Sequence, residues 1–137
     1  MSVKQTLDRF VEFVNSADPA IGNEVIHESA KFHVPFDSKT LIGVDGYLEL
    51  LGMMRRAFPD VQWTLEDTIC EGDKVVGRFK TRGTHNGPFL GFAPTGKTFE
   101  IVGMSLFKFS DGKIIREQAL PDMLGTLVQI GAVKIPF

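Results

Sequence analysis

The stretch that decides the fold is residues 111–131, which read D-G-K-I-I-R-E-Q-A-L-P-D-M-L-G-T-L-V-Q-I-G. Its opening Asp-Gly is a turn dipeptide, because Gly tolerates a positive φ and Asp can bond its own backbone. An apolar run of strand length follows, and Pro121 ends it because proline has no N–H to donate to a neighbouring strand. Asp122 then precedes apolar residues spaced for one face of a helix, which Gly131 is well placed to stop.

Asp122 has two interpretations at this position. Its carboxylate can cap the helix by accepting hydrogen bonds from the first backbone N–H groups. Alternatively, a carboxylate at a strand end among apolar residues has its pKa raised into the range useful for general acid–base catalysis. One carboxylate can serve as both a helix cap and an acid–base group, so the choice between the two interpretations depends on the remainder of the sequence.

The composition predicts one domain spanning residues 1–137. Hydrophobic residues make up 43% of the chain, and twelve Phe against one Tyr and one Trp indicate an interior lined by phenyl rings. A net charge of −2 gives no reason to expect nucleic acid or an anionic membrane as a partner. No apolar run approaches the roughly 18 residues of a membrane-spanning helix.

The N-terminal residues and the single cysteine bear on the compartment. The first ten residues lack the apolar core of a signal peptide and include an acidic residue. Cys70 stands alone, which excludes an intramolecular disulfide and a cysteine zinc cage. We therefore expect a cytoplasmic protein.

The first half of the chain predicts mainly helices. Apolar residues at helical spacing predict an amphipathic helix over residues 3–15, and a second, short helix is expected to begin near Asn23. Residues 30–36 predict a short strand that Pro35 restricts to a sheet edge. A turn at residues 43–46 then precedes another predicted helix that ends near Phe58.

The second half predicts four antiparallel strands joined by short turns. Alternation of apolar and polar residues begins after Pro59, and it places Asp67 and His85 on the apolar side of their strands. Residues 101–107 are apolar in both phases, which is typical of a central strand covered on both faces. Helices followed by an antiparallel sheet predict an α+β domain in which the curved sheet encloses a pocket against the residue 3–15 helix.

An ordered set of short segments resembles a known family. The set comprises Phe58-Pro59-Asp60, Glu71-Gly72-Asp73-Lys74-Val75, Arg82 to Gly91 (R-G-T-H-N-G-P-F-L-G), Pro94-Thr95-Gly96-Lys97, Asp111-Gly112-Lys113-Ile114 and Asp122-Met123-Leu124-Gly125. In this order the segments resemble the SnoaL-like polyketide cyclases, or ester cyclases, of the nuclear-transport-factor-2-like superfamily. The resemblance implies a cystatin-like, cone-shaped curved antiparallel sheet wrapped around N-terminal helices and enclosing an apolar pocket.

The resemblance also implies a chemistry and a catalytic group. Such cyclases close a ring on a polyketide ester by an intramolecular aldol step without a metal or organic cofactor, and Asp122 matches their acid–base carboxylate. A dry pocket suits this reaction, because the base must be poised well above the ordinary Asp pKa of about 3.9. The chain has Glu117 and Gln118 where members commonly have His and Trp.

The remaining site residues follow from these expectations. We expect His85 to be the polar helper of Asp122, although it can equally hold the following loop by hydrogen bonds. The expected substrate contacts are His33, Trp63, Phe89, Met104 and Gln118. The single Tyr lies in a predicted helix, which argues against an isomerase that uses a Tyr donor in the sheet. No metal site is expected, because the three His lack ligand spacing.

Two functions from different classes are therefore open. One is a cofactor-free cyclase, or another lyase or isomerase, acting on a small apolar carbonyl compound. The other is a binding protein that keeps the apolar pocket for a small ligand without chemistry. A homodimer is expected in both cases, because a strand that is apolar on both faces needs cover outside as well as inside.

Overall fold

The computed structural model describes residues 1–35 and 37–136, and of residues 37 and 38 the backbone alone. The described part of the chain is a mixed α+β domain. Its elements in order are α1 (Val3–Ser16), α2 (Pro19–Val25), β1 (Ile26–Val34), β2 (Asp37–Ile42), α3 (Gly43–Ala57), β3 (Gln62–Glu71), β4 (Lys74–Thr84), β5 (Thr98–Ser110), β6 (Lys113–Pro121) and α4 (Met123–Gln129).

Helix α1 confirms the predicted amphipathic helix and extends it by one residue. Ser2 starts it with a capping box, in which its hydroxyl accepts from Gln5 N at 3.1 Å while its own N–H donates to Gln5 Oε1 at 2.9 Å. Ala17 ends the helix in the left-handed conformation, with φ 56°. The apolar face, including Leu7, Phe10 and Phe13, is buried against the sheet and the other helices.

One curved sheet of six strands forms the other layer, in the order β2-β1-β6-β5-β4-β3. The β3–β4, β4–β5 and β5–β6 pairs are antiparallel, which confirms the four strands predicted in the second half of the chain. Asp111 and Gly112 turn β5 into β6 with φ values of 52° and 76°. Two successive left-handed residues are the signature of the tight hairpin turn that this dipeptide predicts.

The first half of the sheet differs from the prediction. Strand β1 is not an edge, because it lies between β2 and β6, parallel to β6. Pro35 follows the end of β1 without limiting its pairing, and β2, which the sequence did not predict, supplies the edge. Phe36, the last residue of the predicted strand, lies outside the described residues.

The helices before and after these strands also begin earlier than predicted. Helix α2 begins at Pro19, because Asp18 accepts from Ala20 N at 2.9 Å and proline fits a first helical turn. Helix α3 begins at Gly43, where a turn was expected. Its φ of +65° suits glycine, since a Cβ there would lie 2.9 Å from the carbonyl oxygen of Glu28.

Strand β3 contains an irregularity that explains why Asp67 does not lie on the buried face that the alternation predicts. The pairing with β4 shifts between Leu65 and Asp67, so that Glu66 is an extra residue in the strand. Asp67 is consequently exposed rather than buried with the apolar phase, and it is Glu66 that contacts Arg78, at 2.6 Å.

The described residues cover the central strand β5 on one face only. Ile101, Phe107 and Phe109 on the inner face are buried, whereas Val102, Met104 and Leu106 on the outer face are exposed. Within the described residues, no helix is both long and apolar enough to cross a membrane.

Candidate active site

A cavity of about 110 Å³ lies between the inner face of the sheet and the helices. Its described lining is predominantly apolar and carries four hydroxyl groups and one carboxyl group. The lining residues are Phe10, Val14, Val34, Pro35, Tyr47, Leu50, Met54, Trp63, Phe79, Thr81, Phe89, Phe99, Ile101, Gly103, Met104, Ser105, Glu117, Ala119, Pro121, Met123 and Thr126.

The carboxyl group belongs to Glu117, and an irregularity in β6 turns it inward. Lys108 pairs with Arg116 and Phe109 with Ile114, so one step along β5 corresponds to two steps along β6. Ile115 is therefore an extra residue, a β-bulge, and every later side chain exchanges faces relative to simple alternation. As a result Glu117 lines the cavity, and only 5% of its surface is exposed.

The surroundings of Glu117 favour its neutral form. In the sheet it is paired with Phe32 of β1 and Phe107 of β5, both of which are fully buried. Removal from water raises the pKa of the Glu117 carboxyl to about 7, while hydrogen bonds with the Ser105 and Tyr47 side chains oppose the rise. The carboxyl group therefore exchanges its proton near neutral pH.

Aromatic packing holds Tyr47 beside this carboxyl group. The Tyr47 ring meets Phe32 edge-on with centroids 4.7 Å apart, Phe10 at 5.3 Å and Phe13 at 5.8 Å. Burial, together with the neighbouring Glu117, raises the pKa of the Tyr47 phenol well above its usual value. Tyr47 is therefore a fixed O–H donor at neutral pH.

Asp122 does not lie where a pocket base was expected. Its side chain is exposed, is not part of the cavity lining, and accepts a hydrogen bond from Gly125 N at 2.8 Å as the N-cap of α4. A Cβ at Gly125 would come within 2.2 Å of Asp122 Oδ2, so the glycine makes room for the cap. The expected burial of Asp122 is wrong, because the bulge at Ile115 sends the carboxylate away from the cavity.

His85 is fully buried, as the strand phase predicted, but it holds a loop. Its backbone N–H donates to Lys97 O at 2.8 Å, and its carbonyl accepts from Gly96 N at 2.8 Å. Its ring Nδ1 accepts from Thr95 N at 3.3 Å and lies 3.0 Å from Thr95 Oγ1. The ring stacks at a tilt on Phe58 outside the cavity lining, so the loop-holding alternative describes this geometry.

The five expected substrate contacts divide into two groups. Trp63 and Phe89 line the cavity; Met104 is also among its lining residues, but it lies on the outer face of β5 and half of its surface is exposed. His33 and Gln118 do not line it; they are paired with each other across β1 and β6, and Gln118 is exposed. Gln118 points outward for the same reason that Glu117 points inward.

Sequence reasoning missed Glu117 and Tyr47 as site residues. The sequence offers little local signal for Glu117, because Lys113, Arg116 and Gln118 in the same strand are polar as well. Tyr47 was set aside because it lies on a helix, yet α3 packs against β1 and brings the phenol to the sheet.

Among residues 1–35 and 37–136, no group of three His, Cys, Asp or Glu side chains is arranged to hold a metal ion. The described lining of the cavity contains no Lys, Arg or His either. What the arrangement offers is a carboxyl group that can accept or donate a proton, two adjacent hydroxyl donors and an apolar wall.

Comparison with known proteins agrees with this architecture. The family model described as SnoaL-like polyketide cyclase matches residues 4–130. Aklanonic acid methyl ester cyclase AcmA from Streptomyces galilaeus is 29% identical over 125 residues, which are 90% of this chain and 86% of that protein. Nogalonic acid methyl ester cyclase from Streptomyces nogalater is 32% identical over 91 residues, which are 65% of this chain and 67% of that protein.

The fold is shared with solved structures. TsrD from Streptomyces laurentii superposes with a TM-score of 0.84 at 28% sequence identity, covering 96% of each chain. The predicted curved-sheet architecture of the nuclear-transport-factor-2-like superfamily is thereby confirmed.

Proposed function

Because this chain belongs to the SnoaL-like polyketide cyclase family, we propose that it is a cofactor-free cyclase or isomerase that abstracts a proton beside a carbonyl group. The observation that carries the proposal is the apolar cavity with a buried carboxyl group inside it. A carbon acid flanked by carbonyl groups needs a base that is shielded from water and a few fixed donors for the enolate oxygen. The cavity provides both.

The lining also favours one class of substrate. It is apolar apart from hydroxyl groups and a single carboxyl group, and no described lining residue is cationic. A carboxylate ligand would have to leave water without a compensating positive charge, beside a group that itself becomes negative. A neutral ketone or ester is therefore the proposed substrate, and a polyketide ester is the member of that class suggested by the names of the two cyclases.

Asp122 is the acid–base group that the family resemblance assigns, and this role stays a prediction. Its exposed, capping side chain gives the prediction no geometric support. The same observation favours the second candidate function, a protein that binds a small apolar ligand without turning it over. The two functions differ in whether a proton is transferred inside the cavity.

The experiment is a direct assay for ring closure. The protein is incubated with aklanonic and nogalonic acid methyl esters, and isomeric products are separated by chromatography. We expect cyclised product, and we expect Ala119→Phe, which fills the cavity from β6, to abolish it. Thr64→Phe, at an exposed position on β3, is the matched control and should keep activity.

Thermal shift measured with the same esters distinguishes the two functions. If an ester stabilises the protein and no product forms, the result supports the function of a binding protein and contradicts the proposal of an enzyme. Failure of Ala119→Phe to change either binding or turnover would remove the cavity from the proposal.

A further inference from the structure

We infer that Glu117, and not Asp122, is the residue that takes up and returns the proton in this cavity, with Ser105 and Tyr47 holding its carboxyl group in place. The inference rests on the proposed function, since it names the group that performs the proposed proton transfer. It does not follow from the family resemblance, which assigns the role to Asp122.

The first support is that Glu117 is the sole carboxyl group among the described lining residues of the cavity. Tyr47 on α3 is the other titratable group there, and the neighbours of Glu117 on β1 and β5 are Phe32 and Phe107. Among the described lining residues, no charged side chain therefore competes for the proton or neutralises the carboxylate. Burying a carboxyl group without a cationic partner costs stability. Buried groups of this kind are concentrated at functional sites, which favours a functional role for Glu117.

The second support is the precision with which the group is held. Glu117 lies in the interior of β6, which is bonded to β1 on one side and to β5 on the other. Ser105 comes from β5 and Tyr47 from α3, so the two hydroxyl groups that act on the Glu117 carboxyl group lie on separate elements. Catalytic groups carried by strands and locked by neighbouring hydrogen bonds are placed more precisely than groups on loops.

The third support is that the carboxylate of Asp122, the alternative base, already caps helix α4. The Asp122 side chain is exposed and folded back onto Gly125 N, over a glycine that has no Cβ to obstruct it. Reaching into the cavity would require Asp122 to give up the helix cap. Glu117 needs no such rearrangement.

The proton transfer balances without a co-reactant. The Glu117 carboxylate removes a proton from the carbon beside the substrate carbonyl, leaving an enolate and a neutral Glu117. The enolate carbon then attacks a second carbonyl carbon of the same molecule, which forms a C–C bond and leaves an alkoxide. Glu117 returns its proton to the alkoxide oxygen, so the carboxylate is restored and the product is an isomer of the substrate. In an isomerase the proton would return to another carbon of the enolate.

Ser105 and Tyr47 act as positioning residues in this scheme. Their hydrogen bonds favour the charged form of Glu117 and oppose the effect of burial. Ser105→Ala should therefore move the ascending limb of the pH–rate profile to higher pH, which loss of packing alone would not do. Tyr47→Phe should move it in the same direction.

The test measures exchange at a carbon acid rather than a complete cyclisation. The probe is 1-indanone, a small neutral ketone, whose α-protons exchange with deuterium in D₂O and can be followed by NMR. We expect the wild-type protein to accelerate exchange, with an ascending pH limb governed by Glu117 at about 7. Glu117→Gln should lower the accelerated rate by at least about 100-fold, the usual contribution of a general base, while 1-indanone still raises the melting temperature.

Three further variants complete the design. Glu117→Asp keeps a carboxyl group on a side chain that is one methylene shorter. This variant should accelerate the deuterium exchange of 1-indanone less than the wild type does, but it should retain the ascending limb of the pH–rate profile. Glu71→Gln, at an exposed glutamate near the end of β3, is the matched control and should behave as wild type. Asp122→Asn should retain more than half of the wild-type exchange rate.

The outcomes separate the inference from the proposed function. No acceleration by the wild-type protein would overturn both. Acceleration that survives in Glu117→Gln, or that disappears in Asp122→Asn while that variant stays folded, would overturn the inference and leave the proposed function standing. Loss in Glu117→Gln with retained ligand binding supports the inference.

Discussion

At the scale of single residues, a buried carboxyl group makes the stability of the protein depend on pH. The Glu117 pKa rises from 4.5 in the reference state to about 7 in the folded protein, because burial penalises the charge. The folded state therefore holds this proton more tightly than the unfolded state. The contribution to stability is fully present below about pH 4.5 and is lost as the pH rises through 7.

Glu117→Gln should remove this dependence. The amide has nearly the same shape and can still accept from Ser105 and Tyr47, but it has no charge to bury. We expect the variant to match wild type near pH 5 and to gain up to about 3 kcal/mol in free energy of unfolding at pH 8. Urea unfolding at the two pH values measures the difference, and equal shifts at both would contradict a buried titrating group.

At the scale of elements, the bulge in β6 determines which carboxylate faces the cavity. Regular alternation from Ile114 would turn Gln118 inward and carry Asp122 with it, which is what the sequence suggested. The extra residue, Ile115, reverses the faces, and Glu117 enters the interior instead. The same bulge leaves Asp122 free to cap α4.

The cap gives Asp122 a structural role that can be measured. Asp122→Ala removes the acceptor for Gly125 N–H, and loss of an N-cap typically costs about 0.5–2 kcal/mol. We expect that loss in chemical denaturation at pH 7, with most of it recovered in Asp122→Asn because asparagine is also a good N-cap. An Asp122→Ala protein with wild-type stability would show that the cap contributes nothing.

At the scale of the whole molecule, the outer face of the sheet carries a group of exposed apolar side chains. Val102, Met104 and Leu106 of β5 and Leu120 of β6 are exposed by 37%, 52%, 40% and 73% respectively. Neighbouring exposed apolar side chains on a sheet face commonly mark an interaction surface, which is the reason for expecting a partner here.

The expected homodimer accordingly stays a prediction. Light scattering at micromolar concentration should give twice the 15.2 kDa mass of one chain. Leu106→Lys should shift the protein toward the monomer by placing a charge on this face, whereas Glu49→Lys, at an exposed position of α3, should not. A wild-type protein that stays monomeric at that concentration would rule out the dimer.

The amino-acid sequence by itself determined the elements whose signals are local. The amphipathic spacing of α1, the alternation in β4 and in β3 as far as Leu65, and the Asp-Gly turn before β6 each depend on near neighbours, and each is present as predicted. The ordered family segments, which include the Asp122-to-Gly125 cap, were sufficient for the family. An apolar cavity is present, and Trp63 and Phe89 are among its lining residues.

Only the tertiary structure decided the contents of the site. Whether β1 is an edge strand depends on its pairing with β6, more than 80 residues away, and nothing local records that contact. The extra residue in β6 is visible only in its register with β5, because Ile114 and Ile115 are both apolar and fit either phase. Since side chains alternate with a period of two, the extra residue turns Glu117 instead of Asp122 toward the cavity. The packing of α3 brings Tyr47 beside Glu117.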